Sequence, residues 1–103
     1  MPQMEPYIIK LLFWHFNPDL VSTEHHIRLT TKDIFDISQD WLYTQAVDLF
    51  DLQLDEFHLW AYDRLANIFT LPNYVVNCSN KRKIAELPIY NNTLEIYVKK
   101  HVD

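Results

Sequence analysis

The chain has 103 residues, 49% hydrophobic and 15% aromatic, with nine Lys and Arg against fourteen Asp and Glu for a formal charge of −5. That length suits one compact domain over 1–103, with a loose N-terminal segment over 1–5, and is too short for two. The acidic balance repels a nucleic-acid backbone, and the absence of glycine removes phosphate-cradling loops and dinucleotide fingerprints, which need close backbone approach to a ligand.

From Tyr7 to Phe16 the chain is rich in Ile, Phe, Trp and Tyr with no helix cap in front, which predicts a strand. Apolar residues fall on both of its faces, as in a strand central to its sheet. The stretch contains Lys10 and His15 and is too short to span a bilayer, and no signal-peptide pattern precedes it. Asn17-Pro18-Asp19 is a turn signal, and His25 to Thr30 alternates as a second strand, with Ile27 and Leu29 on one face and Arg28 on the other. The two runs pair as an antiparallel hairpin.

Thr30, Thr31 and Asp33 supply helix-start oxygens. Ile34, Ile37, Trp41, Leu42, Ala46, Leu49 and Phe50 then recur at helical spacing, which predicts one helix over about 34–50. Phe57, Leu59 and Ala61 alternate with His58, Trp60 and Tyr62 as a third strand. Ile68 to Leu71 is a candidate short fourth strand, and 73–87 reads as connecting structure. Thr93 to Val98 alternates as the closing strand behind a turn at Asn91-Asn92. Without glycine, such a turn must draw on Asn or Asp for positive φ.

The expected class is α+β, a mixed sheet of four to five strands with one main helix, in the order of a β-grasp. Several motifs agree with that order. Phe50-Asp51-Leu52, Glu56, Leu59-Trp60 and Tyr62 resemble the helix exit and third strand of the ubiquitin-like domains within ubiquitin-specific proteases. Thr31-Lys32-Asp33-Ile34 is similar to the start of their helix, with one residue missing, and Ile84 to Leu87 with Leu94 to Val98 is similar to their closing segment. Asn91-Asn92 stands where that family usually has Gly or Asp-Gly. The resemblance implies a ubiquitin-like interaction or regulatory domain associated with deubiquitinases. The chain ends Lys99-Lys100-His101-Val102-Asp103 instead of Gly-Gly, so conjugation is not expected.

Catalytic and metal chemistry find little support in the residue pattern. His15, His25, His26, His58 and His101 are scattered, and the adjacent pair His25-His26 points to opposite faces of a strand. Cys78 lies near Lys81, Arg82 and Lys83, but no protease motif surrounds it, so a thiol enzyme is the least favoured reading. Asp48, Asp51, Asp55 and Glu56 read as solvated charge. The sequons Asn77-Cys78-Ser79 and Asn91-Asn92-Thr93 read as chance matches. A single cysteine excludes an internal disulfide and fits an intracellular protein, cytoplasmic or nuclear.

The candidate site is therefore a protein-binding surface centred on Trp60, with His58, Tyr62 and Tyr97 beside it. It is expected to need no cofactor, metal, small-molecule substrate, nucleic acid or membrane. If Leu59 enters the core, alternation sends Trp60 outward, where aromatics are enriched at binding hot spots. The other arrangement packs Trp60 under the 73–87 segment, and the sequence leaves both open. The alternative function is a stand-alone small viral or accessory protein that binds and inhibits another protein.

Overall fold

A computed structural model describes residues 6–14, 23–63, 74–76 and 82–101. The predicted hairpin is present. Strand β1 (Tyr7–Phe13) pairs antiparallel with β2 (Glu24–Leu29), in a register running from Tyr7↔Leu29 to Leu12↔Glu24. Residues 15 and 16 of the longer predicted strand lie outside the described residues, as do the turn at Asn17-Pro18-Asp19 and the candidate strand Ile68 to Leu71.

Thr30 starts a helix through a reciprocal pair of bonds. The Asp33 amide donates to its hydroxyl (3.1 Å), and its own amide donates to the Asp33 carboxylate (3.0 Å). The helix so begun, α1 (Thr31–Asp36), stops after six residues, and the main helix, α2 (Trp41–Phe50), begins anew. The single helix predicted over 34–50 is thus two. The cause is tertiary pairing at the junction. The Ile84 amide donates to Ile37 O (3.0 Å), the Gln39 amide to Arg82 O (2.8 Å), and buried Gln39 donates through Nε2 to Lys83 O (3.0 Å). Those bonds hold Ile37 extended (φ −85°, ψ 131°), while Lys83 Nζ donates to Asp36 O (3.0 Å) at the end of α1. Ile34, Ile37 and Trp41 face the core in either arrangement, so their spacing conceals the break.

Asp51 closes α2 in the left-handed region (φ 55°). A one-turn 3₁₀ helix (Leu54–Glu56) leads into β3 (Phe57–Ala61). The described residues of the 73–87 segment, 74–76 and 82–87, hold more secondary structure than its reading as connecting structure implies. They supply the three-residue strand β4 (Tyr74–Val76), the partner of the α1–α2 junction, and a 3₁₀ turn (Ile84–Glu86). Asn91 and Asn92 then turn the chain at φ 52° and 58°, as predicted, into β5 (Thr93–Lys100).

The result is a small α+β fold with a mixed sheet. The strand order is β2-β1-β5-β3-β4, with β1 and β5 parallel and the other neighbours antiparallel. Ile9, Leu11, Leu59, Leu94, Ile96 and Val98 are fully buried on the side that packs with Leu42, Tyr43 and Ala46 of α2. Each such aliphatic side chain contributes about 1.5–3 kcal/mol by leaving water. Among the described residues, no helix is long and apolar enough to cross a membrane.

Candidate functional site

Strand periodicity positions the candidate residues. Leu59 is fully buried, so its neighbours His58 and Trp60 occupy the opposite face of β3. The β3–β5 register places Trp60 opposite Tyr97 and His58 opposite Lys99. Directly opposed residues of an antiparallel pair share a face, so His58, Trp60, Tyr97 and Lys99 lie together on the side turned away from the helices. Tyr62 continues the alternation one step past β3, where its amide donates to Glu95 O (3.0 Å). Three of the four predicted residues therefore occupy neighbouring positions on two strands, with Tyr62 just past the end of β3.

Their exposures differ. His58 is exposed, and Trp60, Tyr62 and Tyr97 are half-buried. Trp60 is thus neither core nor fully solvated, which falls between the two arrangements open in the sequence. Edge-on contact with Trp14 holds Tyr97 at a ring separation of 5.7 Å, and its hydroxyl donates to the Glu95 carboxylate (3.2 Å). Trp14 is brought there by its amide, which donates to Val98 O (2.9 Å).

Three further residues complete the group and were not assigned to this surface from the sequence, where His101 was weighed only among the scattered histidines. Lys99 Nζ sits 5.4 Å from the centroid of the Trp60 ring, a cation–π arrangement. His101 meets His58 edge-on at 4.5 Å, held by its amide donating to Glu56 O (2.9 Å). Lys100 is exposed beside them. Together His58, Trp60, Lys99, Lys100 and His101 line an open cavity of about 250 Å³ at the end of β5. The signal was legible as Lys99-Lys100-His101 following an alternating strand. Which strand that run would lie beside was not.

The other candidates separate as expected or lie elsewhere. His25 contacts Phe50 edge-on at 5.0 Å, while His26 is exposed and pairs with Glu24. Asp48, Asp51 and Asp55 are exposed, and Glu56 is half-buried with its carboxylate accepting from the Gln53 amide (2.9 Å). Among the described residues, no group of three His, Cys, Asp or Glu side chains is placed to hold a metal ion. His15, Cys78 and Lys81 lie outside the described residues. Chemically, the assembled face offers aromatic surface, two ammonium groups and two imidazoles, a set suited to non-covalent contact. No known family, no curated protein and no solved structure matches the chain.

Proposed function

We propose that the chain is a ubiquitin-like β-grasp domain that acts as a non-catalytic protein-interaction module, docking its partner on the sheet face turned away from the helices. The β-grasp reading is supported by a hairpin, a helical crossover and a last strand inserted parallel beside the first, in the order β2-β1-β5-β3-β4. The kinship with ubiquitin-like domains of ubiquitin-specific proteases rests on the Phe50 to Tyr62 motif. The observation that carries docking is the cross-strand pair of Trp60 and Tyr97, held half-buried with His58 and Lys99 beside it. Large, pre-positioned aromatics lose little conformational entropy on binding and bury much area, which is why they anchor interfaces.

The test is a selection of displayed peptides on the immobilised chain, followed by binding to single variants. Trp60→Ala is expected to weaken the selected peptides by more than about tenfold. Phe35→Ala, which removes a ring 61% exposed on α1, is expected to leave them unchanged. Selected peptides indifferent to Trp60→Ala and sensitive to Phe35→Ala would place the interface on the helical side and end this reading.

A further inference from the structure

The cavity at the end of β5 carries a charge opposite to that of the whole chain. The chain has a formal charge of −5, yet two of the five residues lining this cavity are lysines and two more are histidines. Five of the eleven described acids lie on or at the ends of α1 and α2, at Asp33, Asp36, Asp40, Asp48 and Asp51, with Glu24, Glu86 and Asp63 elsewhere in the chain. The carboxylates nearest in sequence to the start of β3 are Asp55 and Glu56, and the Glu56 carboxylate is engaged by the Gln53 amide. On the sheet face, the Glu95 carboxylate accepts from the Tyr97 hydroxyl. A cavity at the other end of β5, lined by Lys10, Tyr90, Asn91 and Thr93, has one cation and no comparable cluster.

We propose that this cavity binds an acidic segment of a protein partner, with its carboxylates against Lys99, Lys100, His58 and His101 and its backbone or apolar groups against Trp60. The inference rests on the reading of the outward face as a docking surface and specifies the chemistry of what docks there. Two observations select this occupant. The paired imidazoles of His58 and His101 resemble half of a metal site, but two ammonium groups line the same cavity and repel a cation, and no third ligand joins them among the described residues. A long nucleic acid would meet the overall negative charge, whereas a short acidic peptide feels the local field, because screening confines charge effects to about 10 Å at 0.1 M salt. Complementary charge of this kind chiefly sets specificity and association rate.

The experiment titrates the ¹⁵N-labelled chain with hexa-glutamate and, separately, with hexa-glutamine, following amide and indole signals. Saturable shifts at His58, Trp60, Lys99, Lys100 and His101 are expected with hexa-glutamate, and none with hexa-glutamine. Combining Lys99→Gln with Lys100→Gln should weaken binding about tenfold, with arginine at both positions restoring it. No shift with hexa-glutamate, or equal shifts with both peptides, overturns the acidic-partner proposal and leaves the docking face standing. Shifts confined to α1 and α2 overturn both. Inorganic phosphate reproducing the hexa-glutamate response would make this a small-anion site, and tighter binding of oligo-thymidine would make it a nucleic-acid site. Self-association through the same residues would make the acidic helical side of a second copy the occupant. Each of these three outcomes overturns the proposal.

Discussion

The two faces of β3 and β5 are built from alternate residues of the same strands, and they differ in burial and chemistry. Towards the helices stand Leu59, Leu94, Ile96 and Val98, fully buried and aliphatic. Away from them stand His58, Trp60, Tyr97 and Lys99, with Glu95 beside Tyr97, none fully buried and each aromatic or charged. The difference teaches that one residue of displacement along a strand separates a core position from an outward one on the proposed docking face, because successive side chains point to opposite faces. It also means that each face can be broken while the other is left in place.

The largest expected effect comes from emptying the inward face. Leu59→Ala should destabilise the fold by about 2–5 kcal/mol, whereas Trp60→Ala, one residue away on the other face, should cost less. Urea midpoints of the two variants make the comparison direct. A larger loss for Trp60→Ala would mean that the outward face is core and would count against the proposed docking there.

Tyr43→Phe tests how the helical layer is tied to the inward face. The Leu59 amide donates to Tyr43 Oη (3.1 Å) in a buried setting, and the Tyr43 ring stacks on Phe57 at 5.5 Å. Removing the oxygen keeps the stack and deprives the amide of this acceptor, at a cost of about 1–3 kcal/mol. An unchanged denaturation midpoint would show that the amide finds another acceptor.

A smaller effect is expected at the turn that feeds both faces at once. Asn92 sits at φ 58° at the start of β5, and Asn92→Ala should cost about 1–2 kcal/mol, while Asn92→Gly should be tolerated. If both variants were equally damaging, the side chain and not the backbone angle would be what matters there.

The smallest effect lies outside the sheet and should leave both faces unchanged. Thr30 holds the Asp33 carboxyl below its ordinary value of 3.8, first through its backbone amide and then through its hydroxyl. A depressed folded-state value means that the contribution is present above 3.8 and is lost as pH falls through the lower, folded value. A melting-temperature profile taken down through that range should show an acid limb that flattens in Asp33→Asn. The binding of outward-face ligands should not differ between the two proteins above it.

Much of this architecture was determined by the residues themselves. The alternation of Phe57 to Tyr62 and of Thr93 to Val98 set strands and faces, since period two leaves no other choice once Leu59 and Ile96 are core. The lack of glycine forced Asn91, Asn92 and Asp51 into the left-handed region, and all three adopt it. Trp60, His58, Tyr62 and Tyr97 could be nominated because alternation assigns a face before any neighbour is known.

Tertiary structure decided what local pattern could not. The helix breaks at Ile37 because Arg82 to Ile84 bond to Ile37 and Gln39, a pairing across more than forty residues. Strand β4 at Tyr74–Val76 forms by pairing with β3, and its three residues are too few to show a period. The cationic cavity exists because the β3–β5 register sets His58 and Trp60 beside Lys99, Lys100 and His101. A sequence fixes which side chains share a face of one strand. Which strands lie side by side, and so which charges gather, is fixed only when the sheet closes.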